Sequence, residues 1–253
     1  MSSVPGIDLA NRVIIITGAA QGQGEVEAAH FADLGAHVYM ADIKDEAGEA
    51  IAQRIGATYV HTDIASEADW AHLMGRVMSD HGRLDALVNN ASIYWVRTIE
   101  EENVEDFNRL LTTNVGGTFL GIKAAVEPMM AAGGGSIVNV ASIAGTRGLE
   151  RHVAYGSSKW AMRGLSKVAS TELGPKGIRV NIILPGIIDT PMSWGGGTKP
   201  VISTFDHIPL QRVGTADDVA GLVAFLVSDA SGYLSGAEIT VDGGATVGIP
   251  RTN

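Results

Sequence analysis

Tyr155 and Lys159 lie four residues apart in the stretch Ala154-Tyr155-Gly156-Ser157-Ser158-Lys159-Trp160-Ala161. On a helix, residues at that spacing share one face, so a phenol and an ammonium address the same space. An unperturbed phenol, with a pKa near ~10, is a poor acid or base at neutral pH. A cation held close by favours the phenolate and brings the group towards its working range. By spacing alone such a pair is more often surface decoration; accompanied by a cofactor site and an upstream hydroxyl, here Ser142, it predicts proton transfer to or from a substrate oxygen that the hydroxyl would hold. Arg147, Arg151 and His152 lie between Ser142 and Tyr155 and could meet a polar substituent; two of these three are expected to face solvent.

Such a site needs a scaffold, and the rest of the chain reads as one. Residues 12–17 (Arg-Val-Ile-Ile-Ile-Thr) form a continuous β-branched run, as expected for a strand covered on both faces. The run ends in Gly18-Ala19-Ala20-Gln21-Gly22-Gln23-Gly24 and passes into a helical pattern that extends to Gly35. Strand, glycine-rich turn and helix N-terminus together make an anion site suited to a pyrophosphate. A second strand, 36–41, delivers Asp42, a carboxylate able to accept from both ribose hydroxyls and to repel a 2′-phosphate. NAD rather than NADP is the predicted cofactor.

The alternation continues with helices at 45–55 and 67–81 and strands at 57–62 and 84–88, the fourth strand ending in Asn89-Asn90-Ala91-Ser92. This pattern means a parallel sheet with right-handed crossovers, an α/β fold with ligands at the carboxyl edge. A long helix at 105–131 is interrupted by Asn114-Val115-Gly116-Gly117, which predicts either a kink or bulge near a functional site or close helix packing. A fifth strand at 136–140 leads to Ser142, the helix 153–173 stops at Gly174-Pro175, and a sixth strand, 179–184, breaks at Pro185-Gly186. Regularity then dissolves over about 187–212, which reads as a substrate lid. Thr215 caps a helix to Ser228, and residues 237–241 form a seventh strand.

Composition narrows the classes. The 253 residues are enough for one α/β domain spanning 1–253, and 32 glycines collect at strand-to-helix junctions rather than in a low-complexity tract. With 18 Lys+Arg against 28 Asp+Glu, the net charge of −10 argues against nucleic acid or an anionic membrane as partner. The absence of cysteine excludes a thiolate metal site, and no metal is expected. No signal peptide or spanning helix is legible, so a cytoplasmic location is expected.

Taken together, Thr17-Gly18-x3-Gly22-x-Gly24, Asn89-Asn90-Ala91, Asn114, Ser142, Tyr155-x3-Lys159, Pro185-Gly186 and Asp217-Asp218-Val219-Ala220 resemble the short-chain dehydrogenase/reductase family over nearly the whole chain. The stretches from Tyr155 to Lys167 and from Gly236 to Gly244 further resemble bacterial NAD-dependent hydroxysteroid dehydrogenases of the 3α/20β type. The resemblance implies a single-domain, doubly wound, Rossmann-type seven-stranded sheet and a homotetramer built partly through helices 105–131 and 153–173, with Gly116, Gly117 and Gly164 allowing close approach. It implies Asn114, Ser142, Tyr155 and Lys159 as the catalytic set, with Asn114 holding a water that links Lys159 to solvent. The expected cofactor contacts are Gly18, Gln21, Gly22, Gln23, Gly24, Asp42, Ile43, Asp63, Ile64, Asn90, Ala91, Ser92, Tyr155, Lys159, Pro185, Gly186, Ile188, Thr190 and Met192.

Ile93, Tyr94, Trp95, Ile143, Leu149, Met192, Trp194 and Phe205 are the expected substrate contacts. They are large apolar groups on loops at the carboxyl edge, so the substrate is expected to be a hydrophobic, cyclic secondary alcohol or its ketone, steroid- or terpene-like. Two other readings stand beside this one. A 3-oxoacyl-carrier-protein reductase would want NADP and a basic docking surface, against Asp42 and the net charge; a catalytically silent NAD-binding sensor would not need Tyr155, Lys159 and Ser142 together. The sequence departs from the family at Ser92, where Gly is usual, at Gln23, where Ile is usual, and at Glu25, whose charge is expected to point to solvent away from the glycine turn.

Overall fold

The computed structural model describes residues 7–194 and 208–248. Seven strands form one sheet in the order β3-β2-β1-β4-β5-β6-β7, with every pairing parallel. In chain order these are β1 (Val13–Thr17), α1 (Gly22–Asp33), β2 (His37–Asp42), α2 (Asp45–Ile55), β3 (Thr58–His61), α3 (Glu67–His81) and β4 (Ala86–Asn89). There follow α4 (Val104–Leu111), α5 (Gly117–Ala131), β5 (Gly135–Val140), α6 (Val153–Leu173), β6 (Ile178–Pro185), α7 (Ala216–Val227) and β7 (Glu238–Val241). The expected elements are all present, their ends moved by only a residue or two.

Period-two alternation along the strands feeds a large core on each face of the sheet, with a smaller cluster of Ala141, Met162, Ile182 and Leu184 beside them. Ile14, Ile16, Val38, Met40, Val88 and Val138 face α1, α2 and α7, where they meet Ala28, Phe31, Ala52, Val219 and Val223. Ile15, Tyr39, Leu87, Ile137 and Val180 face α3, α5 and α6, against Trp70, Leu73, Ile122, Met129 and Leu173. This is why β1 is apolar at successive positions: each isoleucine is fully buried, on one face or the other, a burial that stabilises by roughly 2 kcal/mol per side chain.

Helix limits follow from local chemistry. Ser66 caps α3, accepting from Asp69 N–H, and Gly82 in the left-handed conformation ends it. Thr215 and Asp218 form a reciprocal capping box at the start of α7.

Between α4 and α5 the chain makes a π-helical turn, Thr112–Gly116, so the interruption in the long helical pattern is a bulge. Close packing is present at the same place: a Cβ on Gly117 would lie 2.7 Å from Ile64 Cδ1. Gly117 therefore faces the core and not a subunit neighbour, whereas Gly116 and Gly164 open to space.

The sheet order reverses between β1 and β4, because the chain leaves β1 towards β2 and β3 and returns to the other side. A crevice opens at such a switch point, above the carboxyl ends of the strands. Thr17, Asp42, Asn89, Val140 and Pro185 end five of the strands there.

Candidate active site

The floor of the crevice is the turn joining β1 to α1. Gly18 and Gly22 have φ of +66° and +59°, and a Cβ on Gly18 would lie 2.8 Å from Ala91 Cα. The end of β4 pins this turn: Asn90 Nδ2 donates to the carbonyls of Thr17 (2.9 Å) and Gly18 (3.2 Å). Thr17 Oγ1 in turn accepts from the N–H groups of Asn90 and Ala91, both at 3.0 Å. Gly24 sits behind the turn rather than on the crevice wall, where a Cβ would come 2.4 Å from the Gly18 carbonyl oxygen. Of the expected cofactor contacts it is the one that does not line the cavity. Asp42, at the end of β2, accepts from Ala20 N–H at 3.0 Å and Lys44 N–H at 3.1 Å. Glu25, expected to point to solvent, pairs with Arg54 of α2 at 2.7 Å.

At the opposite end α6 presents Tyr155 and Lys159. The Lys159 ammonium donates to the Val140 carbonyl at 2.9 Å and lies 5.4 Å from the centre of the Tyr155 ring. Burial works on both groups. It pushes the Tyr155 phenol up to about 12, against a partly opposing hydrogen bond with Ser142 and with help from Tyr94. It brings Lys159 down to about 7. Desolvation is the largest influence on both groups, in each case by disfavouring the charged form; the expected lowering of the phenol draws on a positively charged nicotinamide as well as on Lys159.

Asn114, in the π turn, is fully buried and does not reach the cavity. Its amide closes a two-way clamp on Ile93, accepting from the Ile93 N–H at 2.9 Å and donating to the Ile93 carbonyl at 3.0 Å. Nδ2 also donates to Ser158 Oγ at 3.2 Å, and Ser158 donates to the Tyr155 carbonyl at 2.7 Å. The side chain thus ties the loop after β4 to α6.

These parts enclose one cavity of about 660 Å³, a volume suited to a cofactor with a small substrate. Of the expected cofactor contacts, Gly18, Gln21, Gly22, Gln23, Asp42, Ile43, Asp63, Ile64, Asn90, Ala91, Ser92, Tyr155, Lys159, Pro185, Gly186, Ile188, Thr190 and Met192 all line it. Ser142 lines it too, as do Ile93, Tyr94, Ile143 and Leu149 of the expected substrate contacts.

Trp95 does not. Its indole N–H donates to Glu102 at 2.7 Å, and the guanidinium groups of Arg97 and Arg109 lie over its ring at 5.4 and 5.1 Å from the centroid. Trp194 is also off the wall and donates to Asp189 at 2.9 Å. Phe205, with positions 195–207 of the expected lid, lies outside the described residues.

Arg147 and Arg151 are exposed, as expected for two of the three, while His152 is on the cavity wall. Thr62, Thr113, Val140, Ala141 and Pro191 also line the cavity and were not singled out from the sequence. Thr62, Val140 and Ala141 adjoin strand ends, so their signal was position rather than residue type. Among the described residues no cluster of His, Asp or Glu could hold a metal ion, and no helix is long and apolar enough to cross a membrane.

Comparison with known proteins gives a consistent picture. The family model described as enoyl-(acyl carrier protein) reductase matches residues 18–246. Trans-4-hydroxycyclohexanecarboxylate dehydrogenase of Sinomonas cyclohexanicum is 38% identical over 251 residues, covering 95% of each chain. The 3-alpha-(or 20-beta)-hydroxysteroid dehydrogenase of Mycobacterium tuberculosis is 40% identical over 247 residues, covering 97% of this chain and 93% of that one. Among solved structures, a short-chain type dehydrogenase/reductase from Mycobacterium marinum superposes with a TM-score of 0.89 at 32% identity, covering 96% of this chain and 98% of the other. A 3-ketoacyl-(acyl-carrier-protein) reductase from Brucella melitensis, complexed with NADH, also gives 0.89 at 32% identity, with 94% and 100% covered.

Proposed function

The chain belongs to the short-chain dehydrogenase/reductase family, and from that premise we propose that it is an NAD(H)-dependent enzyme interconverting a hydrophobic, cyclic secondary alcohol and its ketone, with Tyr155 as the acid/base. The observation that carries this reading is one continuous cavity of about 660 Å³. It is lined by Asp42, by Tyr155, Lys159 and Ser142, and by apolar groups that include Ile93, Ile143, Leu149 and Met192.

The residues present fit a nicotinamide dinucleotide. Gly18 and Gly22 leave backbone open at the N-terminus of α1 for the pyrophosphate, and Asp42 would take the ribose hydroxyls and disfavour a 2′-phosphate. When bound, the cofactor supplies or accepts the hydride. The protein handles the proton. Ser142 Oγ–H donates to the substrate oxygen and holds it against Tyr155. In the reducing direction the Tyr155 phenol gives its proton to that oxygen as it gains charge. In the oxidising direction the phenolate removes the alcohol proton. Lys159, fixed by the Val140 carbonyl, supplies a cation beneath the ring when protonated. Asn114 positions Ile93 and, through Ser158, the backbone at Tyr155.

The relatives' names support a ring alcohol, one being a dehydrogenase of trans-4-hydroxycyclohexanecarboxylate and another of hydroxysteroids. The carrier-protein reductase reading is weaker: its protein partner is acidic, and a chain with a net charge of −10 repels it.

The test follows absorbance of NADH with a panel of cyclic, steroid and terpene alcohols. Turnover of ring alcohols with NAD, and little with NADP, is expected. Tyr155→Phe should keep NADH affinity and lower kcat by about two to four orders of magnitude. Wild-type rates in that variant would remove Tyr155 from the mechanism, and tight NAD binding without turnover of any alcohol would mark a sensor.

A further inference from the structure

Tyr94 and His152 share the cavity wall with Tyr155 and have no part in the proton transfer described above. The Tyr94 ring stands edge-on to Tyr155 with 4.8 Å between centroids, and the His152 ring lies 6.4 Å from it. The Tyr94 hydroxyl and His152 Nε2 are 3.0 Å apart, and His152 Nδ1 is 2.6 Å from the Glu150 carbonyl oxygen. A carbonyl only accepts, so Nδ1 carries the hydrogen. In a neutral imidazole Nε2 is then the acceptor and receives the Tyr94 O–H. The Tyr94 oxygen is left with lone pairs and no hydrogen to give, so it is a site for a donor.

The placement of His152 is strongly determined. Arg151, just before it, has φ of +63°, a conformation costly for a side chain with a Cβ. Three contacts hold it there. The Arg151 carbonyl accepts from Arg97 N–H at 2.8 Å, the Arg151 guanidinium reaches Glu101 at 3.2 Å, and Arg97 and His152 form an isolated parallel bridge. Arg97 is anchored in turn by Asp106 at 2.6 Å and Glu102 at 3.1 Å. Two loops remote in sequence are clamped so that a phenol and an imidazole stand beside the proposed acid/base.

Ile93, Ile143, Leu149 and Met192 give the described lining a large apolar share, beside the hydroxyls of Ser92 and Thr113. The lysines on the described lining are both engaged, Lys159 with the Val140 carbonyl and Lys44 with Gln21. A carboxylate would find no free lysine there; a hydroxyl would find an acceptor.

Resting on the ring-alcohol reading above, we propose that Tyr94, oriented by His152, determines specificity by accepting a hydrogen bond from a second hydroxyl, so that the substrate is a ring diol. One carbinol loses its hydride to NAD⁺ and its hydroxyl proton to Tyr155, giving a hydroxyketone. The second hydroxyl is unchanged and serves as the handle.

The test compares NADH formation by the full-length enzyme from cyclohexanol, the cyclohexanediol isomers and 4-hydroxycyclohexanecarboxylate. At least one diol isomer is expected to exceed cyclohexanol by about tenfold or more in kcat/KM, with the difference in KM. Tyr94→Phe and His152→Leu should each bring that ratio close to one. Four results would overturn the proposal: a wild-type ratio near one, equal losses on diol and mono-alcohol in both variants, a loss confined to kcat, or a carboxylate as good as the diol. Oxidation of cyclohexanol without diol preference overturns this proposal and leaves the dehydrogenase reading standing. No NADH from any of these compounds or from the wider alcohol panel overturns both.

Discussion

Tyr155 and Lys159 are chemically ordinary side chains made unusual by burial. The phenol rises to about 12 and the amine falls to about 7, each because the interior disfavours its charged form. With Tyr155 as the proposed acid/base, ketone reduction would draw on the phenol, so its rate should stay level through neutral pH. Alcohol oxidation draws on the phenolate, so its rate should climb as pH rises from about 6 to about 10. Initial rates in both directions across that range check the sign, and an oxidation rate that falls with rising pH would contradict it. Asp42 carries a second prediction at this scale. Asp42→Asn should raise KM for NAD by about tenfold and narrow the preference over NADP, because a neutral amide no longer repels a 2′-phosphate. Trp95 and Trp194 show the limit of reading single residues. Both are large aromatics on the expected loops, but each indole found a carboxylate partner away from the cavity.

At the scale of elements, α1 holds a buried acid that the glycine motif did not predict. Glu27 is fully buried, held by Gln23 through one oxygen, and its Oε2 has no hydrogen-bond partner among the described residues. Burial pushes its carboxyl up to about 8, so it is neutral in the fold at neutral pH and ionised in the unfolded chain. The folded state therefore binds the extra proton between roughly pH 4.5 and pH 8, and stability falls as pH rises through that window. Glu27→Gln, close in shape to the neutral acid, should flatten this dependence and stabilise the protein near pH 8 by on the order of 3 kcal/mol. Melting temperatures of the two proteins across the window test it, and parallel curves would refute it. The π turn at Thr112–Gly116 was legible as an interruption in a helical pattern, because glycine and asparagine weaken a helix whatever surrounds it. That Asn114 would clamp Ile93 was not legible, since its partner lies in another element.

For the whole molecule, the outer faces of α4, α5 and α6 carry exposed apolar groups, among them Val104, Phe119, Met130, Trp160 and Val168. We propose that these faces join subunits in a homotetramer, with Gly116 and Gly164 open to the neighbour. Light scattering should give four times the chain mass, and Phe119→Arg with Trp160→Arg should reduce it to dimer or monomer. A wild-type monomer would end this proposal. The sequence by itself determined the strand-helix alternation, the glycine turn, the acid at the end of β2 and the Tyr155/Lys159 spacing. Those depend on periodicity, backbone freedom and residue type within a few positions, which are local properties. Tertiary structure alone decided that Gly24 and Gly117 pack inward, that Trp95 turns away, that burial moves Tyr155 and Lys159 in opposite directions, and that His152 meets Tyr94. Each depends on what another segment brings alongside, and desolvation and contact exist only once the chain has closed around them.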